Sequence, residues 1–490
     1  MKISKRFLGA VTSAVCTLTA CVGAMSFGVS ASKVTVGDLT CETYSDHVEV
    51  TGCSSSATTV VIPSEVQSLP VTVIAANAFY GCDSLSQVTI PDSITSIGSS
   101  AFYGCSSLQS ATIPSSVKSV GSNAFTNTAI ISAQDGPVYY VSNWAVYSAN
   151  ATAVTIKSGT TGIADSTFYN CGLETVSIPS TVSTIGNNAF ASNSQIRTLT
   201  IPSGVKTVGS SAFKDCSSLL TVTIGDTVTS IGSRAFYNCE SLSNIKIPNS
   251  VTSVGSDAFA YTSDYNKQTG PEIYIDKWVV NCLDSTENLA VKIKNGTKGI
   301  ADYAFANKEF VISASIPSGV VTVGSNAFYY CTALSQLTLP DTLTTINDYA
   351  FAYTRIPSAV VPASVTNIGF AAFNGCSNMS DITISNPKCA IYDSNVTIDS
   401  GAKMHVAEAS TAYDYAIKYG RAFDYVTQQV GKVGDVTGDG VVNLYDIIAI
   451  CKHIMGMQTL TIEQQAVADY TGDGKIDLYD AIAMAKFLMS

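Results

Sequence analysis

Apolar positions recur along most of this chain with a period near 23 residues. The anchor is a Phe, usually preceded by Ala: Phe79, Phe102, Phe125, Phe168, Phe190, Phe213, Phe236, Phe259, Phe305, Phe328, Phe351 and Phe373. Most intervals are 22 or 23 residues; two, of 43 and 46, contain insertions. Each unit approximates Ile-Pro-x-x-Val-x-x-Ile-Gly-x-x-Ala-Phe-x-x-Cys-x-x-Leu-x-x-Val-x-Ile, as in Ile113-Pro114, Val117, Val120-Gly121 and Ala124-Phe125. Leu-x-x-Val-x-Ile sends alternate apolar side chains inward from a short strand. The Pro that follows stops the strand. Val-x-x-Ile is a second inward segment, its Gly permits a tight turn, and the Phe fills the coil. One coil cannot bury its own faces, but stacked coils share a core. The pattern predicts a mainly β solenoid of about twelve coils, a rod of roughly 60 Å at ordinary strand spacing.

The cysteines follow the same register. Cys82, Cys105, Cys171, Cys216, Cys239, Cys331 and Cys376 each lie three residues after a Phe. They read as small buried residues rather than as a disulfide framework. Cys41 and Cys53 fall outside the register and are the pair expected to be bonded. Outward positions of the Val-x-Ile strands are mostly Thr or Ser, a hydroxyl ladder that strand preference alone explains. Tyr80, Tyr103, Tyr169, Tyr237 and Tyr329, each just after a Phe, are a weak sugar-stacking candidate.

The two insertions resemble each other. Gly136-Pro137 with Trp144 matches Gly270-Pro271 with Trp278, and Gly162-Ile163-Ala164-Asp165 matches Gly299-Ile300-Ala301-Asp302. The expected reading is a longer coil with its Trp packed on the solenoid side. Asp165 and Asp302 look like turn formers. A helix over Ser410–Gly420, with an N-cap Ser and a stop Gly, is expected to close the last coil.

This repeat resembles the BspA-like leucine-rich-repeat family of secreted bacterial proteins over about residues 60–427. The resemblance implies a curved solenoid with a stacked parallel sheet, used for adhesion or protein contacts. It identifies a scaffold and not a ligand.

The tail carries a different pattern. Asp435-Val436-Thr437-Gly438-Asp439-Gly440-Val441-Val442-Asn443-Leu444-Tyr445-Asp446 recurs 34 residues later as Asp469-Tyr470-Thr471-Gly472-Asp473-Gly474-Lys475-Ile476-Asp477-Leu478-Tyr479-Asp480. Oxygen-bearing side chains stand at loop positions 1, 3, 5, 9 and 12, with Gly at 6. Calcium takes six to eight hard oxygens in such a loop. The expected ligands are Asp435, Thr437, Asp439, Val441 through its carbonyl, Asn443 and Asp446. In the second copy they are Asp469, Thr471, Asp473, Lys475 through its carbonyl, Asp477 and Asp480. Two calcium ions are therefore expected, with the second site, of four Asp, the tighter. Each loop leads into an apolar helix, and no entering helix of EF-hand type precedes either loop. Residues 435–490 resemble a type I dockerin. That resemblance implies calcium-dependent docking to a cohesin domain of a scaffoldin. The partner-reading positions it implies are Leu444, Tyr445, Cys451 and Lys452, mirrored by Leu478, Tyr479, Ala485 and Lys486.

Composition narrows the function. The charged fraction is 13% and the hydrophobic fraction 46%, too apolar for a disordered chain. A net charge of −11 disfavours nucleic acid and anionic membrane as partners. Three His and two Trp leave little material for a His-based catalytic core. Lys2, Lys5 and Arg6, an apolar stretch and Val29-Ser30-Ala31 read as an export signal over residues 1–31. No later stretch is long and apolar enough to span a membrane. The expected layout is a signal over 1–31, an N-terminal cap over 32–60, the solenoid with its C-terminal cap over 61–427, a linker over 428–434 and the dockerin over 435–490. The expected function is a non-catalytic, secreted, cellulosome-associated repeat protein whose solenoid contacts protein, cell surface or plant fibre. Two alternatives stand: a glycoside hydrolase or other polysaccharide-degrading component, which needs two carboxylates across a sugar cleft, and a surface adhesin lipid-anchored at Cys21.

Overall fold

The computed structural model describes residues 32–425, 434–438, 441–460, 462–471 and 475–489. The export signal, Cys21 and linker residues 428–433 lie outside the described residues. The chain is mainly β, a solenoid followed by a small helical module, and it divides into two compact units. Unit 1 holds residues up to Glu287 with Ile293–Lys308 and Gly319–Phe328; unit 2 holds Asn288–Lys292, Glu309–Ser318 and the chain from Tyr329 onward.

Unit 1 opens with an antiparallel meander of Ser32–Val36, Leu39–Thr43 and Val48–Cys53. Val48–Cys53 then pairs in parallel with Leu69–Ile74, which starts a ladder through Ser96–Ile97 and Ser119–Val120. A second parallel ladder runs through Thr59–Val61, Gln87–Thr89 and Ser110–Ala111. Each coil thus adds one rung to each of two ladders, as the two inward segments of the repeat require. The antiparallel start turns the first rung's open edge into a paired one, which suits a cap. Cys41 lies opposite Val50 and Cys53 opposite Leu39, so the expected bond between these two cysteines does not form; both are free thiols.

The Phe rings form the spine. Phe79, Phe102 and Phe125 stack at 4.7 and 5.1 Å. Phe168, Phe190, Phe213, Phe236 and Phe259 continue in the same manner at 4.9–5.4 Å. All are buried. The position three residues after the Phe has a second duty in several coils. Cys105 Sγ donates to the Phe79 carbonyl at 3.0 Å, and Cys239 Sγ to the Phe213 carbonyl at 3.2 Å. Asn193 takes the same register and donates from Nδ2 to the Phe168 carbonyl at 2.7 Å. Cys105, Cys239 and Asn193 are therefore hydrogen-bond donors that join neighbouring coils, more than apolar fillers. Burial pushes the Cys105 and Cys216 thiols up to about 12, so they are poor thiolates.

Positions two before and two after the Phe take left-handed backbone, as at Asn77 (φ 60°), Asn123 (56°), Asn170 (53°) and Asn238 (59°). Asn, Asp, Ser and Gly suit that conformation, which costs other L residues about 1–2 kcal/mol. Tyr261, Tyr303, Tyr330, Tyr349 and Tyr353 adopt it nonetheless. The repeat's Gly answers close approach instead. A Cβ on Gly209 would lie 2.5 Å from the carbonyl carbon of Gly186 in the adjacent coil. Gly209→Ala is expected to cost about 1–3 kcal/mol through overpacking, read as a lower urea midpoint.

Both insertions are hairpins rather than simply longer coils. Short helices α1 (Ala129–Ser132) and α2 (Ser263–Asn266) are capped by the buried Thr128 and Thr262. They lead into antiparallel pairs, Val138–Val141 with Trp144–Ser148 and Glu272–Ile275 with Trp278–Cys282. Each Trp is buried, as expected, against the backbone of the next coil: a Cβ on Gly162 would lie 2.6 Å from the Trp144 ring, and one on Gly299 2.5 Å from the Trp278 ring. That contact explains why Gly162 and Gly299 recur in the duplicated segment. Asp165 accepts from the Asn187 amide at 2.6 Å, and Asp302 from the Ser325 amide at 2.7 Å. Both carboxylates tie one coil to the next.

Unit 2 repeats the ladder with Thr345–Ile346, Asn367–Ile368 and Ala390–Ile391, and with Ser358–Val361, Asp381–Ile384, Lys403–Val406 and Phe423–Tyr425. The helix α3 (Thr411–Lys418) is capped by Ser410 and ends before Gly420 (φ 62°), as its sequence predicts. Its Ala412, Tyr415 and Ala416 are buried. His405 bridges the last rungs: Nε2 meets Asp381 at 3.1 Å and Nδ1 meets Asp424, which also holds Lys403 at 2.8 Å. Burial pulls the His405 pKa down, but its bonds to Asp381 and Asp424 outweigh this and raise it. Bonds from Ser380 and His405 lower Asp381, and bonds from Lys403 and His405 lower Asp424. A raised His pKa stabilises the fold below its unfolded value of about 6.5. That contribution is lost as pH rises through the folded pKa. The lowered carboxylates stabilise above about pH 4 and lose their contribution as pH falls. The network is therefore expected to be strongest between about pH 4 and 6.5. An NMR titration should place His405 above its ordinary value in the wild type and lower in Asp424→Asn.

Candidate metal centre

The tail's geometry starts from its two long helices. In α4 (Leu444–Ile454) the side chain of Asn443 caps the start by accepting from the Tyr445 amide at 2.7 Å. A short helix, α5 (Ile462–Ala468), precedes the second loop. It is seven residues long, against eleven in α4. Val467 and Ala468 are buried in the module's core, and that burial holds the turn in place. In α6 (Leu478–Leu488) Asp477 repeats the cap, accepting from the Tyr479 amide at 2.8 Å. The core is small: Val436, Val442, Ala449, Ile450, Leu460, Val467, Ala468, Ala481 and Met484. A module of this size rarely gains more than about 3–5 kcal/mol from one apolar core.

The two Asp at loop position 12 are both fully buried. One oxygen of Asp446 accepts from the Thr437 amide at 2.7 Å and the Thr437 hydroxyl at 2.8 Å; the other accepts from the Asn443 amide at 2.8 Å. Asp480 repeats this with the Thr471 amide at 2.9 Å, the Thr471 hydroxyl at 3.0 Å and the Asp477 amide at 2.8 Å. At position 1 Asp435 accepts from the Gly438 amide at 2.8 Å, and in the second loop the Thr471 hydroxyl reaches Asp469 at 3.5 Å. The carbonyl of Val441 accepts from the Asn443 side chain at 3.0 Å. Loop positions 3, 9 and 12 are thus drawn together in both copies, and position 1 joins them in the second. Asp439 and Asp473, at position 5, lie outside the described residues. Among the described residues no Lys, Arg or His pairs with Asp446 or Asp480. A buried carboxylate held by neutral donors alone is costly, and a divalent cation against its oxygens removes that cost. The donor set is all hard oxygen, which suits calcium and not a soft metal. No group of three or more His, Cys, Asp or Glu among the described residues could hold a metal by itself.

The residues that the sequence puts forward for partner contact divide into two groups. Tyr445 and Tyr479 are 71% and 70% exposed, and Leu444, Leu478, Lys452 and Lys486 also face solvent. Cys451 and Ala485 are half-buried, Cys451 against the module's core.

Comparison with known proteins places both parts. A model of the BspA type leucine rich repeat region matches in six copies, over residues 72–135, 139–266 and 298–399, more than half of the chain. The chain belongs to the BspA-type leucine-rich repeat family. A model of the dockerin type I domain matches residues 433–489. This BspA-type chain therefore carries a C-terminal type I dockerin. Among solved structures it is similar to a leucine-rich cell surface protein from Faecalibacterium prausnitzii, at 24% identity over 82% of this chain and 96% of that one, with a TM-score of 0.27. A leucine-rich repeat protein from Bacteroides ovatus gives 21% identity over 80% and 99%, with a TM-score of 0.26. The pneumococcal vaccine antigen PcpA gives 18% over 81% and 99%, with a TM-score of 0.30. At such scores the likeness carries no further argument. No curated protein matches the chain. Among the described residues of this BspA-type chain, no helix is long and apolar enough to cross a membrane.

Proposed function

We propose that this is an exported, non-catalytic repeat protein whose dockerin binds two calcium ions and docks the chain onto a cohesin of a cellulosome-like scaffold. In this reading residues 1–31 are the export signal, 32–60 the cap, 61–427 the solenoid, 428–434 the linker and 435–490 the dockerin. The supporting observation is the pair of buried carboxylates, Asp446 and Asp480, that lack a cationic partner among the described residues. Calcium would be held by Asp435, Thr437, Asp439, Asn443, Asp446 and the Val441 carbonyl in the first loop. In the second it would be held by Asp469, Thr471, Asp473, Asp477, Asp480 and the Lys475 carbonyl. The ion supplies positive charge that fixes both loops and, through them, the starts of α4 and α6. Leu444, Tyr445, Leu478 and Tyr479 stand in the first turns of those helices, exposed and paired by the internal duplication. Tyr is enriched in interface hot spots. Lys452 and Lys486 add charge, and Cys451 and Ala485 leave room for close approach. The solenoid would then present its outer surface to protein, cell surface or fibre.

The test is capture of the intact chain on immobilised cohesins, with calcium and with chelator. Capture only in calcium is expected; capture that survives chelator overturns the calcium role. Release of reducing sugar from plant polysaccharide by the purified chain overturns the non-catalytic reading. A mature N-terminus at a lipidated Cys21, rather than at Ser32, overturns free export.

A further inference from the structure

The cysteine register changes character where the solenoid begins. Three successive rungs turn there in the same way. The Ala57 amide donates to the Ser54 carbonyl at 3.1 Å, Leu85 to Cys82 at 3.0 Å and Leu108 to Cys105 at 3.0 Å. The Ser86 amide donates to the Thr58 carbonyl at 2.8 Å and the Gln109 amide to the Ser86 carbonyl at 3.1 Å, which keeps the three turns in register. Ser54 thus holds the cysteine position of the cap, and Cys53 stands beside it on the rung before that of Cys82. Neighbouring rungs lie about 4.8 Å apart. That is within the Cα separation of about 4.4–6.8 Å that a disulfide spans.

The side chains agree with the backbone. Cys105 Sγ is committed to the Phe79 carbonyl at 3.0 Å. Phe79 is the first Phe of the column, so the rung before Cys82 offers its thiol no Phe carbonyl. The Cys82 thiol lies instead within hydrogen-bonding reach of the Cys53 thiol, and both pack against one core. Cys53 is half-buried and Cys82 buried, so a reagent from solvent meets Cys53 first. The position also matters to the cap. The meander covers the ladder that starts at Leu69–Ile74. The other ladder has Thr59–Val61 as its outermost rung, with Val61 71% exposed. An open outer rung is a site of fraying and of pairing with other chains. Residues 54–58 lead straight into it, so a link at Cys53 ties that rung down.

We propose that Cys53 and Cys82 close as a structural disulfide that staples the N-terminal cap to the first coil. Two S–H bonds break and one S–S bond forms. The two electrons and both protons pass to a small-molecule or protein disulfide, whose S–S bond is cut to give two thiols. Burial, and then the Cys82 thiol, push Cys53 up to about 12. The exchange is therefore slow, which suits a lasting crosslink and not a redox relay. The supply of oxidant in the cell rests on the export proposed above; the pairing does not, and a purified chain separates the two. The test incubates the intact chain with oxidised glutathione at alkaline pH, or with dithiothreitol, then unfolds it, alkylates it and maps its peptides by mass. Two of the twelve thiols, Cys53 and Cys82, should be lost to alkylation as one linked peptide pair. Proteinase K should cut the oxidised chain within residues 54–58 at least about tenfold more slowly than the reduced chain, because the link suppresses local opening. Cys53→Ser and Cys82→Ala should each be cut at the same rate in oxidant and reductant. Twelve alkylated thiols after oxidation, a Cys41–Cys53 or Cys82–Cys105 link instead, or equal cutting of the oxidised and reduced wild type overturns the proposal.

Discussion

A chain carrying Asp446→Ala and Asp480→Ala is expected to bind cohesin at least about 100-fold more weakly than the wild type, since removing one partner from a buried charge-bearing cluster costs about 3–5 kcal/mol. Each carboxylate has three roles in the described geometry. It accepts the position 3 amide, the position 3 hydroxyl and the position 9 amide. It closes the helix capping box. It also supplies the oxygen that would face the ion from the helix side. Ala abolishes all three and strands buried donors at about 1–3 kcal/mol each. The module's small core cannot absorb that loss. Asp446→Asn with Asp480→Asn keeps the shape and an acceptor but removes the charge. It should retain more helix than the Ala pair while still binding calcium poorly. Calorimetric titration of each variant with a cohesin, in calcium, measures the effect.

Phe236→Ala is expected to destabilise its coils by about 3–5 kcal/mol. Phe236 is buried between Phe213 and Phe259, stacked at 5.4 Å on both sides with interplanar angles of 11° and 5°. Ala leaves a cavity and removes two ring pairs, each worth about 0.5–1.5 kcal/mol beyond burial. Phe79 has a Phe neighbour only at Phe102, at 4.7 Å, among the described ring contacts. Phe79→Ala should therefore cost less than Phe236→Ala. In a repeat array the loss is felt mostly by neighbouring coils. The urea transition of Phe236→Ala should become broader as well as earlier. An unchanged midpoint would mean that the Phe column is not the spine.

Much of this was legible in the sequence because it rests on spacing. The 23-residue Phe period, Pro after the strand and the Asp/Gly loops each fix a backbone path, and both the solenoid and the helix-bearing tail follow from them. The duplicated Trp segments also read correctly as buried. The residues that sequence reasoning misjudged are those whose role depends on a neighbouring coil. By spacing alone Cys105 and Cys239 read as apolar filler, whereas each donates to a Phe carbonyl of the preceding coil. The clue was present at the same register, where Thr128, Asn193, Thr262 and Thr354 can all donate. Cys41 and Cys53 lie outside the repeat register, and only the strand register, Cys41 opposite Val50 and Cys53 opposite Leu39, separates them. Tyr330, Tyr349 and Tyr353 hold left-handed backbone against their own preference, which no propensity predicts. The His405 network depends on strands far apart in sequence, and α5 on burial of Val467 and Ala468.

Direct calcium titration of the intact, chelator-treated chain bears most closely on the account, with heat and far-ultraviolet dichroism recorded together. Two ions per chain are expected, with helical signal rising as they bind and with neither response in Asp446→Ala/Asp480→Ala. A wild-type chain that takes up no calcium, or takes it up with no gain of helix and no gain in cohesin affinity, would contradict it.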